Sequence, residues 1–204
     1  MKKALIIGAG GHTRSLIELL EQSDWQIEGI IDESFNSGKQ ETVLGYTVVG
    51  DWNWKNLPEY QVFIGNGKLQ DRDRVFKQFQ RQLVQENVCH PRASISKHTT
   101  LGSSNQIFAN AVINSEVIIG DNNIINTSSV IEHNCVIGNH NHISIGALVC
   151  GKVTIGSHCF LGAGSVIKDG ISICDGVTVG ANSVVIRDIT LPGTYVGNPT
   201  KRLP

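Results

Sequence analysis

Histidine is the side chain best suited to take a proton near neutral pH, and this chain carries seven. Four of them, His133, His140, His142 and His158, fall within one short stretch. An amine or hydroxyl attacking an activated acyl group must lose a proton, so a positioned imidazole there would serve as general base. A second candidate is the run Gly8-Ala9-Gly10-Gly11-His12, directly after the apolar segment Lys3 to Ile7. At a strand-to-helix turn, the backbone N–H groups of Gly10, Gly11 and His12 would receive phosphate oxygens. The dinucleotide fingerprint needs a third glycine where Thr13 stands, which argues against hydride chemistry. Asp32 and its neighbour Glu33, at the end of the next strand, would reach a sugar or ribose hydroxyl, with Asn66 lining the same crevice.

Those residues need two kinds of scaffold. Up to about residue 87, apolar runs alternate with helical spacing: a strand over 3–7, a helix over 13–21 and a strand over 27–31. A loop rich in Gly and Trp follows, then a strand over 62–64 and a polar helix over 69–84 with Val75, Phe76, Phe79 and Leu83 as its apolar stripe. This order predicts a small Rossmann-like α/β domain over residues 1–87 with a mostly parallel sheet.

From residue 95 the period changes. An aliphatic residue recurs at every sixth position from Ile95 through Ile113, Ile131, Val149 and Ile167 to Val185, without a gap. Two places before, the residue is usually small or apolar (Ala111, Ser129, Cys135, Ala147, Cys159), and the residue after is often glycine (Gly102, Gly120, Gly138, Gly156). Such a hexapeptide repeat predicts one short strand and one turn per hexad and three hexads per 18-residue triangular coil, with the aliphatics filling the prism. Residues 18 apart then stack, which puts His133 between Ser115 and Gly151. A histidine beside a residue with no side chain leaves room for a thioester. Prisms of this kind keep flat apolar faces and associate in threes, so a homotrimer is expected. The tail beyond Leu191 leaves the repeat and reads as a loop ending in Lys201-Arg202.

Composition narrows the function classes. A net charge of -1 excludes a nucleic-acid binder working through bulk charge, and the glycines interrupt the first apolar run too early for a secretion signal or membrane insertion. A cytoplasmic protein acting on a small ligand is expected. The five cysteines are odd in number and show no CxxC spacing, so neither a disulfide framework nor a zinc knuckle is expected.

The segment Asn126-Thr127-Ser128-Ser129-Val130-Ile131-Glu132-His133-Asn134-Cys135-Val136-Ile137-Gly138 closely resembles the catalytic stretch of the bacterial sugar O- and N-acetyltransferases. That family includes enzymes acetylating UDP-4-amino-4,6-dideoxy sugars, perosamine N-acetyltransferases and sialic acid O-acetyltransferases. The glycine loop, Gly65-Asn66 and Val196-Gly197-Asn198-Pro199 extend the resemblance along the whole chain. It implies a left-handed parallel β-helix over residues 88–204, His133 as general base, Asn126 and Asn134 beside it, and His142 contacting acetyl-CoA. Backbone amides near Gly151, Ala163 and Ala181 would hold the thioester and pantetheine in a groove between subunits. One departure stands out: where several relatives carry a glutamate after the histidine, this chain has Asn134, so Glu132 or a more distant carboxylate must substitute, or the base is weaker.

The expected activity is therefore acetyl transfer from acetyl-CoA to the amine of a nucleotide-linked 4-amino-4,6-dideoxy sugar, with no metal. The close alternative is O-acetylation of a sialic acid or other sugar hydroxyl, which would lean harder on the base. Outside the class stand a γ-carbonic-anhydrase-like metalloenzyme recruiting His133, His140 and His142, and a non-catalytic sugar-nucleotide binding protein.

Overall fold

A computed structural model describes residues 2–35, 41–50 and 60–204. They form two compact units, Met1–Gln85 and Glu86–Pro204.

The first unit is built on β1 (Lys2–Ile7), which is flanked by β2 (Trp25–Ile31) and β5 (Gln61–Ile64), both parallel to it. A central parallel strand is covered on both faces, which is why Ala4 to Ile7 is an unbroken apolar run rather than an alternating one. The helix α1 (Gly11–Glu21) buries Leu16, Ile17, Leu19 and Leu20, the 3.6-period face of its sequence. The segment read as a loop contains a hairpin, β3 (Glu41–Val43) and β4 (Tyr46–Val49), with β4 parallel to β2, giving the order β3-β4-β2-β1-β5. Leu44 and Gly45 both take positive φ, 50° and 88°, the geometry of a two-residue hairpin turn. Trp52 and Trp54, which helped to define that loop in the sequence, lie outside the described residues.

The second helix is shorter than its pattern. It runs Leu69–Gln78, and the chain then doubles back so that Leu83 pairs with Val62 and the Val84 N–H donates to the Val62 carbonyl at 3.1 Å. Val75, Phe79 and Leu83 are buried as the stripe required and Phe76 is half-buried, but Leu83 belongs, with the buried Val84, to a chain lying along β5. Pairing with a sheet edge satisfied backbone groups that further helix would have left facing solvent.

The second unit is a three-walled parallel solenoid. One wall starts at Val88–Cys89 and continues through Gln106–Ile107, Ile124–Ile125, His142–Ile143 and Phe160–Leu161 to Val177–Val179. A second runs from Ser94–Ile95 to Val184–Val185 and a third from Thr100–Leu101 to Ser172–Ile173. Strands pair with partners 18 residues on, Ile113 with Ile131, Ile119 with Ile137 and Ile125 with Ile143. The sixth-position aliphatics from Ile107 to Val185 fill the prism as one core.

From Ser104 to Asn182 the corners turn through a left-handed residue, again six apart: Asn110, Glu116, Asn122, Ser128, Asn134 and His140 among them, with φ between 55° and 60°. Asparagine tolerates that region better than most residues, which accounts for its frequency here. Asn87, Asn105, Asn123 and Asn141 form a ladder in which each side-chain oxygen accepts the backbone N–H one coil on, at 2.7 to 2.9 Å. The tail departs from the loop that was expected. Gly193–Val196 extends the first wall beside Val177–Val179, and Lys201–Arg202 folds back antiparallel to it. Without this hairpin the N–H of Gly180, which donates to the Tyr195 carbonyl at 2.8 Å, would sit on an open sheet edge.

Candidate active site

His133 stands at the corner between the second and third walls, exposed, with its ring laid over Gly151. A methyl group at Gly151 would come within 2.8 Å of both Cε1 and Nε2, so the ring occupies the space that a glycine one coil away leaves. The backbone keeps the same register: the Lys152 N–H donates to the His133 carbonyl at 2.9 Å, and the Asn134 N–H to Ser115 at 3.1 Å.

The missing carboxylate has a replacement that the sequence did not reveal. His133 Nδ1 lies 2.9 Å from Asn134 Oδ1, and the Asn134 amide nitrogen donates to Glu116 Oε2. Glu116 sits 18 residues before Asn134, at the same corner of the preceding coil. A carboxylate only accepts, so the Asn134 NH2 must face Glu116 and its oxygen must face the imidazole. The oxygen in turn requires a proton on Nδ1, leaving the Nε2 lone pair bare to act as base. Among the described residues Glu132, though next to His133 in sequence, makes no hydrogen bond to it.

Asn126 and His142 meet each other, not His133. Asn126 Oδ1 accepts the Thr127 N–H at 2.8 Å, which points the amide nitrogen at His142 Nε2, 3.1 Å away. His142 lies on the outer side of the first wall, 8% exposed, its ring edge-on to Phe160 at 5.1 Å. Ala163 and Ala181 share the corner of Asn126, between the first and second walls, one coil apart. Gly162 and Gly180 precede them, and a methyl group at Gly162 would lie 2.6 Å from the Ala181 nitrogen, so bare backbone is obligatory there. Within one chain the expected residues thus form two clusters: His133, Asn134 and Gly151 at one corner, and Asn126, His142, Ala163 and Ala181 along another.

The histidines weighed for a metal do not converge within the chain. His140 sits at the third corner, stacked on His158 at 4.9 Å with Nδ1 2.8 Å from the Asn122 amide, away from both clusters. Burial pushes the thiols of Cys135 and Cys150 up, and that of Cys159 to about 11, which makes these three poor nucleophiles.

In the first unit, a cavity of about 390 Å³ is lined by Gly8, Asp32, Glu33, Ser34, Asn66 and Arg74, among others. Asp32 Oδ2 accepts the Ala9 N–H at 2.6 Å and Oδ1 the Ser34 N–H at 2.9 Å. Burial raises the Asp32 pKa, but the bonds from the Ser34 hydroxyl and the two backbone N–H groups outweigh it and hold the carboxyl below its usual range. Glu33 pairs with Arg74 at 3.1 Å, both exposed. Asn66 packs against Gly8, and its buried Oδ1 has no hydrogen-bond partner among the described residues. Gly10, Gly11 and His12 open α1 and are not among the lining residues. The α1 N-terminus has no side-chain cap and no acid in its first turn, so its N–H groups keep their affinity for an anion. Thr13, the residue that breaks the dinucleotide fingerprint, is fully buried and donates to the Gly8 and Gly65 carbonyls, so its hydroxyl locks the turn.

Comparison with known proteins agrees with both halves. The PglD N-terminal domain model matches residues 3–79, the bacterial transferase hexapeptide model residues 134–169, and the hexapeptide repeat of succinyl-transferase residues 152–187. No curated protein sequence matches the chain. Among solved structures, the PerB protein of Caulobacter crescentus, crystallised with CoA and GDP-perosamine, is 30% identical. The alignment covers 100% of this chain and 98% of PerB, with a TM-score of 0.90. The acetyltransferase domain of PglB from Neisseria gonorrhoeae, in complex with acetyl coenzyme A, is 27% identical over 99% of both chains, with a TM-score of 0.87. WeeI from Acinetobacter baumannii, 24% identical over 99% of this chain and 100% of its own with a TM-score of 0.88, shares the fold. The solenoid is the left-handed parallel β-helix of the hexapeptide-repeat transferases, and the protein is an acyltransferase. Within that superfamily the chain belongs to the bacterial sugar acetyltransferases that join a PglD-type N-terminal domain to the β-helix.

Proposed function

We propose that the protein transfers an acetyl group from acetyl-CoA to the amine of a nucleotide-linked 4-amino-4,6-dideoxy sugar. The observation that carries this reading is the end-to-end similarity to PerB, crystallised with CoA and GDP-perosamine, together with His133 set at an exposed corner with Nε2 bare. The unpartnered Asn66 oxygen, the Asp32 carboxylate and the uncapped α1 N-terminus give the first unit acceptors for hydroxyls and donors for phosphates, the two features of a nucleotide sugar.

The chemistry is direct transfer. His133 Nε2 takes the proton as the sugar nitrogen attacks the thioester carbonyl, the C–N bond forms, the C–S bond breaks, and the proton passes to the departing sulfur. Backbone N–H groups stabilise the oxyanion in between. The raised cysteine thiols favour this route over an acyl-enzyme. A homotrimer would account for the two separated clusters, with the His133 corner of one copy facing the Asn126–His142 wall of its neighbour. With Glu116 supplying a carboxylate, Asn134 no longer argues for an amine over a hydroxyl, so the preference for the amine rests on the comparison with PerB. No helix among the described residues is long and apolar enough to cross a membrane.

The test is thiol release from acetyl-CoA with UDP-, GDP- and dTDP-linked 4-amino-4,6-dideoxyhexoses beside sialic acid. Turnover with an amino sugar, giving an alkali-stable amide product, is expected. Turnover confined to sialic acid, giving an alkali-labile ester, would overturn the reading.

A further inference from the structure

We infer that Glu116 is a positioning residue for the acetyl transfer, acting on the base through Asn134. The inference rests on the reading of His133 as that base and adds a residue to it. Two contacts in sequence link the three side chains: Glu116 Oε2 accepts from the Asn134 amide nitrogen, and Asn134 Oδ1 lies 2.9 Å from His133 Nδ1. Each link constrains the next. The carboxylate has no proton to give, so it fixes the asparagine amide in one of its two orientations. That orientation presents an oxygen, not an NH2, to the ring, and so selects the tautomer with Nδ1 protonated and Nε2 free. If the amide flipped, its NH2 would face Nδ1 and favour the opposite tautomer, with Nε2 blocked by its own proton. As the ring becomes positively charged during transfer, the Glu116 charge also acts on it through one polarised amide.

The geometry is built by the repeat. Glu116 and Asn134 occupy equivalent left-handed corner positions, φ 60° in both, one 18-residue coil apart, so their side chains leave the same corner side by side. The Glu116 N–H donates to the His98 carbonyl at 3.2 Å and the Asn134 N–H to that of Ser115 at 3.1 Å, so backbone bonds hold both in register. Among the described residues no hydrogen bond joins Glu132 to His133, which leaves Glu116 as the carboxylate connected to the ring.

Reciprocal exchange tests the relay. Glu116→Gln removes the charge and, since its amide can present either end, no longer dictates how Asn134 faces. Asn134→Asp sets two carboxylates against each other and forces them to share a proton. Each single variant is expected to lower kcat about tenfold or more, with little change in KM for acetyl-CoA. The double variant Glu116→Gln with Asn134→Asp restores a one-way chain, Gln N–H to Asp and Asp oxygen to His133 Nδ1–H, and is expected to recover to within about threefold of wild type. Wild-type kcat in Glu116→Gln, or a double variant no better than the worse single, would overturn the inference. His133→Ala run beside them separates the two readings: loss there with no effect at Glu116 removes only the relay, whereas activity retained there removes the base itself. Imidazole 15N spectra of histidine-labelled wild-type protein give a readout that needs no acceptor sugar. The neutral His133 ring is expected as the Nδ1–H form, shifting toward a mixture in Glu116→Gln; a wild-type ring in the Nε2–H form would contradict the relay.

Discussion

Gly151→Ala adds a single methyl group where the β-helix backbone passes beside the imidazole. That methyl would lie 2.8 Å from Cε1 and Nε2 of His133 and 3.3 Å from Nδ1, well inside the roughly 3.5 Å at which such atoms rest. Something must move, and the His133 ring is the mobile partner: it is the exposed end of a side chain, whereas the backbone at 151 is tied to the coils on either side, Gly170 N–H to the Gly151 carbonyl at 2.9 Å and Lys152 N–H to His133 at 2.9 Å. A displacement approaching 1 Å strains the Nδ1 bond to Asn134 and misdirects Nε2. Misplacement on that scale costs on the order of a hundredfold in rate. Gly151 does not take positive φ, so alanine fits the backbone, and the reduced freedom of the unfolded chain offsets much of the local crowding, about 0.4 to 1 kcal/mol. The variant should therefore melt within a few degrees of wild type while kcat falls about ten- to a hundredfold in the thiol-release assay. Unchanged turnover would show that the ring over Gly151 is not in its working position.

Further outcomes follow from the scaffold and the first unit. Ile131→Ala empties a fully buried site in the coil that carries His133 and should cost about 2 to 5 kcal/mol in denaturant unfolding. Asn123→Ala leaves the buried Asn141 N–H without its 2.8 Å acceptor and should cost about 1 to 3 kcal/mol in the same measurement. The depressed Asp32 carboxyl contributes stability that is present above its unfolded value of 3.8 and is lost as pH falls through the lower folded value. Asp32→Asn should therefore flatten the acid limb of the stability–pH curve below about pH 4, and an identical limb would contradict the assignment.

The solenoid was legible because its rule is local and repeated: one aliphatic every six residues fixes the strands, and 18-residue stacking follows by addition. The pairing of His133 with Gly151 came from that addition, and the ring does lie over the glycine. The same arithmetic places Glu116 next to Asn134, but spacing cannot show that an asparagine amide joins a glutamate to a histidine; that depends on side-chain orientation at a left-handed corner. Asn126 shows the converse. It lies close to His133 in sequence, but the prism turns between them and gives its amide to His142. In the first unit, the parallel strands were plain from their apolar runs, while the hairpin at Leu44-Gly45 and the return of Leu83 and Val84 along β5 were not. Both are edge additions, decided by unpaired backbone groups rather than by a periodic pattern.

Acetyl transfer by this protein depends on His133 as the proton acceptor, and kinetics of His133→Ala test that role most directly. The variant should bind acetyl-CoA as the wild type does, with kcat lowered at least about a hundredfold. Turnover within a few-fold of wild type at saturating substrates would contradict it.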